Sequence, residues 1–586
     1  MKMTWGIKRP GDIISRPLPP RIAGSPDPFG IDRFHYAEER DIPPRSMTSS
    51  SLSNCQKSIK YGKGKYAHIE LVPQPSDDPD DPLNWPRWRK DLNLVSLLVM
   101  VGLIGGMKTV FISTAGSLST QYGVSNTAIG ALTAGPLLIS ALTSLMSSIT
   151  AKFYGKRPVY LVSTFFLFVG TIWNMTAGDD YGSCLGARIF QGLGWGAFET
   201  LVLGSIQDTY FEHERNLPVT TYNLLAIATT WGSPLLGGLA SKNANSFTSQ
   251  FRIINIFYFL ALPLLFFGAP ETAYNRSRAA ITPLPTPGLD AWRPWRLRHR
   301  LNKETAIEYI KKMKPLSFKA PVTASTALQV PRAILAPTTC LLSALTFIPY
   351  GALWGLTSTI SILAAPAPLS VDAAVTGVSM AGPWIVASIV VGGFCFYRGL
   401  HERFTKSISH LIISAGSMLC LTGLLSYGLG IHNFMTPSPT PSTPLFTSNA
   451  AGQISLPLLS LQLGILAGGT YTLDTVTRPL LARSASFTSS SIAIGQRSIG
   501  DMHAGIIMLR NLAAGVFVLA MPHAVTIYGA LKSAVIGLGI TQLILTGVVL
   551  ALWWYFEESI WRADGMIMGL VDMKLLKQSI SFFETD

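Results

Sequence analysis

Apolar segments long enough to cross a bilayer recur between residues 92 and 556 of this 586-residue chain. The hydrocarbon core of a membrane is about 30 Å thick, and roughly 20 helical residues cross it. Charged residues make up only 13% of the chain, whereas an average soluble domain has about a quarter. We therefore predict an all-α membrane protein with twelve transmembrane helices, at residues 92–113, 126–150, 158–177, 183–208, 217–240, 252–270, 334–361, 373–396, 408–430, 456–480, 503–527 and 532–556.

The segments between these predicted helices fall into two classes. The basic class comprises residues 151–157, 209–216, 271–333, 397–407 and 481–502. The class nearly free of Lys and Arg comprises residues 114–125, 178–182, 241–251, 362–372, 431–455 and 528–531. Because basic loops stay in the cytoplasm, this pattern predicts a cytoplasmic location for both termini. The net charge of +14 then reflects membrane topology, and we expect no nucleic-acid partner.

The predicted helices form two sets of six around a long basic segment. Residues 1–90 are polar and have no helical or strand period, which predicts a disordered cytoplasmic tail. Residues 91–270 are expected to form an N-terminal six-helix half and residues 334–556 a C-terminal one. Residues 271–333 are the predicted central cytoplasmic loop, and residues 557–586 the predicted cytoplasmic C-tail.

A short motif occurs at corresponding places in the two halves. The second predicted helix contains GALTAGP, from Gly130 to Pro136, and the eighth contains GVSMAGP, from Gly377 to Pro383. Each is followed by an apolar stretch and then a basic loop. The repetition predicts two related halves around a central cavity, with the binding site between them near the middle of the bilayer.

Five motifs, in order along the chain, resemble those of one transporter family. They are DPLNW (Asp81–Trp85), YGKRPVYL (Tyr154–Leu161), ARIFQGLG (Ala187–Gly194), DTYFEHERN (Asp208–Asn216) and GSPLLGG (Gly232–Gly238). On these motifs the chain resembles the major facilitator superfamily, and within it the fungal twelve-span drug:proton antiporter group. The resemblance covers roughly residues 80–556. It implies two six-helix pseudo-repeats that move a small molecule by alternating access.

The loop between the second and third predicted helices departs from the family pattern. In the family this loop acts as a gate, usually through a carboxylate three residues before its glycine, and that position is Lys152 here. Ser148 replaces the family's first glycine, and Ser233 replaces the glycine before the proline of the fifth-helix motif. The resemblance makes Lys152, Lys156 and Arg157 candidates for an inner gate, but with gating that differs from the family's.

Three ionisable side chains in the predicted helices need an explanation, because inserting one costs about 2.5–3.5 kcal/mol. Arg188 and Glu199 lie on one face of the fourth helix, about 16 Å apart along its axis, too far to pair. By analogy with the fourth-helix motif, Arg188 is a candidate for proton coupling. Glu199 is a candidate for binding protons or a cationic substrate, and for both residues the alternative is a static polar contact. Lys108 is a further candidate, whose alternative is snorkelling to the interface.

Asp474 and Arg510 are expected at similar depth in the tenth and eleventh helices, toward the cytoplasmic side. We hypothesise that they pair and help to close the inner gate. Arg478 is the rival partner, because it follows Asp474 by four residues on the same helix.

Six aromatic side chains are candidates to line the cavity and stack on an aromatic or cationic ligand; the alternative for each is packing or lipid contact. They are Trp195, Trp231, Tyr350, Trp354, Trp384 and Tyr471. Asn174 begins a glycosylation sequon at the outer end of the third helix. The five cysteines and nine histidines are scattered, which predicts neither a metal site nor a disulfide framework.

Together these features predict a proton-coupled transporter that exports a small organic molecule, such as a drug, toxin or fungal secondary metabolite. The chain has no G-x-x-x-x-G-K-[ST] phosphate loop, so we expect neither ATP as the energy source nor a cofactor. Uptake of a nutrient or organic cation is the alternative. A membrane-embedded enzyme is a third interpretation, for which the sequence offers no catalytic residue. We expect a monomer in the plasma membrane; the vacuolar or another internal membrane is the alternative.

Overall fold

Helices form nearly all of the regular structure in the described part of this computed structural model. The structure describes residues 60–62, 67–78, 80–178, 180–244, 248–274, 307, 309–310, 313–320, 322–396, 405–437, 445–447, 450–489 and 492–569. Most of the predicted N-terminal tail, much of the central loop and the end of the C-tail lie outside these residues. The described residues belong to one compact unit that begins at Lys60.

Sixteen helices are labelled here in chain order within the described residues. They are α1 (Arg87–Lys108), α2 (Ala115–Tyr122), α3 (Asn126–Tyr154), α4 (Lys156–Thr176), α5 (Tyr181–Thr209), α6 (Asn216–Ala244), α7 (Thr248–Gly268), α8 (Ala324–Leu335), α9 (Pro337–Ala364), α10 (Ala373–Val378), α11 (Ala381–Phe396), α12 (Lys406–His432), α13 (Ala450–Gln453), α14 (Leu456–Thr488), α15 (Ile492–Thr526) and α16 (Ala530–Met568). Two short 3₁₀ helices, Pro82–Asn84 and Glu212–Glu214, lie outside the bundle helices. Two isolated β-bridges pair Tyr61 with Glu70 and Met435 with Phe446.

Eleven helices among the described residues are long and apolar enough to cross a membrane, with α10 and α11 together counted as one. They include every predicted span except the fourth, which is α5. α5 has 29 residues, enough to cross, but Arg188, Gln191 and Glu199 lower its hydropathy. The twelfth crossing therefore stays a prediction.

Several boundaries predicted from hydropathy are wrong because polar helix ends carry no apolar signal. α8 begins within the predicted central loop 271–333, and α14 and α15 take up most of the predicted loop 481–502. α16 runs to Met568, through the expected start of the C-tail at 557, with a kink at Phe556. The predicted span 373–396 is divided into α10 and α11.

Residues 67–90 were expected to be disordered, and that prediction is wrong for the described residues of this segment. Glu212 N–H donates to Val72 O over 2.9 Å, and Tyr274 OH donates to Asp78 Oδ2 over 2.8 Å. These turn and side-chain contacts hold the segment against the bundle without any hydrophobic period, so no periodic pattern indicates them.

The two halves meet along two seams, and the first joins α3 to α15. A Cβ at Gly130 would lie 2.9 Å from the carbonyl oxygen of Val518, and one at Gly515 would lie 3.3 Å from that of Ala134. The backbones approach so closely here that only small residues fit, as is common where membrane helices cross.

The second seam joins α6 to α10 and has the same form. A Cβ at Gly377 would overlap the carbonyl oxygen of Pro234, and one at Gly238 would overlap that of Ala373. Gly377 begins the second copy of the repeated motif, as Gly130 begins the first. The repeat therefore has a packing function, because its first glycine lets each half contact the backbone of the other.

Candidate functional site

A cavity of about 780 Å³ lies between the two halves. Its wall is formed by α1, α5 and α6 of the N-terminal half and by α9, α11, α14 and α15 of the C-terminal half. It extends from Trp354 to residues at the basic end of the bundle, among them Arg215 and Ser489. The volume is within the range that holds a drug-sized molecule.

The opposite end of the bundle is closed by contacts between the halves. The Gly116 backbone N–H donates to Ser361 Oγ over 3.0 Å, and Ser361 Oγ donates to Ser113 O over 3.2 Å. Among the described residues, the cavity is therefore accessible from the basic end.

Aromatic side chains form the inner limit of the cavity. Tyr350, Trp354 and Tyr471 line it, as predicted. The Trp231 indole N–H donates to Tyr471 OH over 2.8 Å, and its ring lies 5.2 Å from that of Trp354. This hydrogen bond joins α6 of one half to α14 of the other.

The other three aromatic candidates do not line the cavity. Trp195 and Trp231 are fully buried behind its wall because α5 and α6 pack those faces against neighbouring helices. Trp384 is 37% exposed and lies beside Gly232 on the α6 side of α11. Periodicity identifies apolar faces, but it does not tell which of them meets a cavity.

Lys108 and Glu199 form an ion pair on the cavity wall. The Asn511 side-chain amide also donates to Glu199. Lys108 does not snorkel: only 9% of the residue is exposed, and its ammonium lies 5.9 Å from the Trp195 ring centre. Since Asn511 is on α15, Glu199 is held by residues from both halves. Asn511 was not identified from the sequence, because a lone Asn in an apolar helix carries no distinctive pattern.

Asp474 and Arg510 form the pair expected between α14 and α15. Arg510 Nη1 lies 2.6 Å from Asp474 Oδ1, and both residues line the cavity. Arg478, the rival partner, lines the same wall but makes no salt bridge with Asp474. The gating role of the pair stays a prediction.

Arg188 lies outside the cavity lining and is fully buried. Its guanidinium donates to Leu132 O over 2.9 Å, to Met107 O over 3.1 Å and to Gln191 Oε1 over 2.9 Å. These bonds hold α5 against α1 and α3. Arg188 and Glu199 do not pair, as their spacing predicts.

The three basic residues of the loop between α3 and α4 have different partners. Lys152 Nζ lies 2.6 Å from Asp501 Oδ2 of α15 and donates to Gln329 Oε1 of α8 over 2.9 Å. Lys156 Nζ lies 2.6 Å from Asp208 Oδ2, within the N-terminal half. Only the first pair joins the halves, so Lys152 is the strongest gate candidate of the three.

The Arg157 side chain, from the start of α4, is buried against the end of α7. Because both helices belong to the N-terminal half, Arg157 is less suited to act as a gate. Its guanidinium donates to Phe266 O over 3.0 Å and to Ala269 O over 2.5 Å. Neighbouring Glu271 accepts the backbone N–H groups of Lys156 over 2.9 Å and of Arg157 over 3.0 Å. The carboxylate thereby caps the first turn of α4, where helix N–H groups have no partner of their own.

The DPLNW motif is a compact turn before α1. Asp81 caps the 3₁₀ helix by accepting Leu83 N–H over 3.1 Å, and Asn84 Nδ2 donates to Ser76 O over 2.9 Å. Tyr274 contacts the same turn through Asp78. Burial, together with the Asp78 carboxylate, raises the pKa of Tyr274 to about 12, so this phenol stays a donor at physiological pH.

The position of Asn174 argues against glycosylation of the folded protein. Asn174 is fully buried, and its side-chain amide donates to Gly170 O over 3.0 Å. Cys184 Sγ also lies 3.5 Å from its Oδ1. A glycan on this amide would displace α5 from α4, which a sequon alone does not reveal.

Within the described residues, no group of three or more His, Cys, Asp or Glu side chains is placed to hold a metal ion. The side chains that line the cavity offer paired charges, amides and aromatic rings. This arrangement is suited to binding an organic molecule.

Three of the curated relatives are fungal proteins. An uncharacterized MFS-type transporter of Schizosaccharomyces pombe is 33% identical over 221 residues, which are 37% of this chain and 37% of the relative. Protein HOL1 of Saccharomyces cerevisiae is 26% identical over 261 residues, 43% of each chain. MFS antiporter QDR3 of Candida albicans is 26% identical over 241 residues, 40% of this chain and 33% of the relative. The alignments thus span less than half of these relatives.

The sequence profile of the Major Facilitator Superfamily matches residues 97–473. This range includes the Lys108–Glu199 pair, all of the second seam and the α3 side of the first seam. The match covers more than half of the chain, and the fold and the central cavity agree with it. The chain therefore belongs to the Major Facilitator Superfamily.

Proposed function

We propose that the protein is a proton-coupled secondary transporter that exports a small organic molecule by alternating access. Glu199 is the observation that carries this proposal. It is a carboxylate inside the membrane-spanning bundle, on the wall of a substrate-sized cavity, and it is paired with Lys108. Intramembrane carboxylates with a basic partner are typical of proton pathways.

Protonation of Glu199 is the proposed coupling step. Ionised Glu199 attracts the Lys108 ammonium and accepts from Asn511 of the other half. A proton on the carboxylate removes the attraction to Lys108 and weakens the contact with α15. Proton binding then has a different free energy in states that differ in this contact, which is the requirement for coupling.

Arg188 has a positioning role in this proposal. It donates to the carbonyl of Met107, the residue before Lys108, and it holds the helix that carries Glu199. Loss of Arg188 would move both partners of the ion pair without removing either.

Export is the proposed direction because the cavity reaches the basic end of the bundle, which we assign to the cytoplasm. A molecule entering from that side meets Glu199 directly. The relative named an MFS antiporter supports exchange of the substrate for a second solute, for which we propose the proton. Uptake of a nutrient or organic cation is the competing function.

Proteoliposomes containing the purified full chain test the coupling. A pH gradient is imposed, and the flux of a set of aromatic acids, esters and amines is measured with proton movement. Glu199→Gln is expected to lower proton-driven flux at least tenfold, and Arg188→Ala is expected to lower it less. Glu558→Gln, which changes an exposed carboxylate near the end of α16, serves as the control and should have no effect.

Two outcomes would contradict the proposal. If both Glu199→Gln and Arg188→Ala retain full proton-driven flux, the coupling assignment is wrong. If a probe moves in the same direction as the protons, the protein is an uptake transporter instead.

A further inference from the structure

Arg478 differs in its surroundings from Arg157, Arg188 and Arg510, the buried arginines of the bundle. Arg157 and Arg188 donate to backbone carbonyls, and Arg510 pairs with Asp474. Arg478 lies on the cavity wall, yet among the described residues it makes no hydrogen bond and no salt bridge. Tyr222 and Asp474 act on Arg478 electrostatically, but Asp474 is already paired with Arg510.

The balance of charges on the cavity wall also leaves Arg478 without a partner of opposite charge. The basic residues among the described lining are Lys108, Arg215, Arg478 and Arg510, and the acidic ones are Glu199, Glu212 and Asp474. Glu199 pairs with Lys108, and Asp474 pairs with Arg510.

The remaining charges at the mouth do not compensate Arg478. Arg215 donates to Tyr210 O over 2.8 Å and to Gln207 O over 2.7 Å, at the end of α5. Glu212 is on the short 3₁₀ helix that follows. Among the described lining residues, the interior of the cavity is thus left with one uncompensated positive charge, at Arg478.

The half-buried Arg478 guanidinium faces the cavity without a counter-charge of its own, so a ligand anion that enters the cavity can pair with it. A carboxylate matches the planar guanidinium fork with two parallel hydrogen bonds. The wall therefore favours a ligand with an anionic group at this position.

The surroundings of Arg478 also indicate the rest of the ligand. Tyr471 lies seven residues earlier on α14, on the same helix face and about 10 Å along the axis. Tyr350 and Trp354 line the cavity near Tyr471, with their own rings 6.4 Å apart. Aromatic rings of this kind pack against an apolar or ring-containing group.

We propose that Arg478 is an anion subsite and that the transported molecule is an amphipathic organic acid. Its carboxylate pairs with Arg478, and its apolar body packs against Tyr350, Trp354 and Tyr471. This inference rests on the proposed transport function and adds the chemical class of the substrate.

Ligand-dependent thermal unfolding of the purified full chain tests the subsite. The probes are benzene, indole and naphthalene rings, each with an acetate, methyl acetate or ethylamine side chain, at pH 7. The acetates should raise the unfolding midpoint more than the matched esters and amines. Arg478→Gln should weaken acetate binding at least tenfold, and Arg478→Lys should weaken it less, because Lys keeps the charge but not the fork.

Arg483→Gln is the matched control. Arg483 is on the same helix but lies outside the cavity lining, where it pairs with Glu557. The Arg483→Gln variant should show the same preference for acetates as the wild type. Without ligand, Arg478→Gln should be at least as stable as the wild type, because removing an unpaired charge leaves no partner behind.

The outcomes separate this inference from the transport proposal. Equal stabilisation by acetates, esters and amines, or no stabilisation by any of them, overturns the anion subsite. A ligand-free Arg478→Gln variant that unfolds at lower temperature would show a structural role instead. Selective acetate binding without proton-driven flux would refute the proposed coupling and leave the subsite standing.

Discussion

Gly155 is the residue with the most severe steric requirement in the loop between α3 and α4. Its φ is +90°, a conformation that side-chain-bearing residues rarely adopt. A Cβ at this position would also overlap the Glu271 carboxylate, which caps α4. The glycine of this motif thus serves two purposes: the turn itself and the approach of a capping acid from the end of α7.

Gly155→Ala is expected to destabilise the protein for both reasons. Backbone strain alone costs of order 1–3 kcal/mol, and displacement of Glu271 would leave the first N–H groups of α4 unsatisfied. Gly123→Ala is the control, because Gly123 has φ +63° but no atom within 4 Å of the position that an added methyl group would take. The thermal unfolding midpoint should fall more for Gly155→Ala than for Gly123→Ala. Equal decreases would mean that Glu271 contributes nothing.

Single residues in the membrane could be identified from sequence more readily than their partners. Composition and spacing identified Lys108, Glu199, Asp474 and Arg510 as charges that need an explanation. They did not pair Lys108 with Glu199, because the relative rotation and depth of α1 and α5 depend on packing between helices. Asp474 and Arg510 were paired correctly because their helices are adjacent in the chain, so depth could be inferred from the connecting segment.

At the scale of elements, the sequence predicted which long helices exist but not how long they are. Hydropathy identified the apolar part of every long helix, but α14, α15 and α16 continue beyond it. The end of α16 is held by polar contacts. Asp564 is fully buried, accepts Thr338 N–H over 2.9 Å and accepts Ser484 Oγ–H over 2.6 Å. Because these contacts are polar, hydrophobic periodicity does not predict such an extension of the helix.

Asp564→Ala should therefore loosen the junction of α9, α14 and α16. It leaves the Thr338 N–H, in the first turn of α9, without its acceptor, and an unsatisfied buried group costs about 1–3 kcal/mol. A decrease of several degrees in the unfolding midpoint is expected. Glu558→Ala on the same helix removes only an exposed pair with Arg562 and should change the midpoint little. Similar midpoints for the two variants would contradict the assigned role of Asp564.

For the whole molecule, the relation between the halves determines access to the cavity. Lys152 and Asp501 are mostly buried, with 19% and 11% of their side chains exposed, and they join the halves in a state whose cavity reaches the basic end. The charge is reversed relative to the carboxylate that the family usually has at this place in the loop. We expect the pair to stabilise the observed state relative to states in which it is broken.

Lys152→Asp should lower the population of the observed state, and Lys152→Asp with Asp501→Lys should restore it. The rate at which a membrane-impermeant maleimide alkylates Cys395, a cavity-lining residue, reports that population when the other cysteines are replaced by serine. The control is Lys156→Asp, which breaks a pair of equal length within one half. The alkylation rate of this control should stay near that of the parent protein. Failure of the double substitution to restore the rate would show that the pair does not act between the halves.

The two glycine seams have a consequence for how the arrangement of the two halves is determined. At each seam a glycine of one half meets a carbonyl of the other, and a second glycine returns the same contact in the opposite direction. An isologous interface between two identical subunits has this reciprocal form. Two copies of one six-helix unit, associated head to head in this way, would enclose a cavity with the same pair of contacts. The relation between the two halves is thus set by one kind of contact, which is made at both seams.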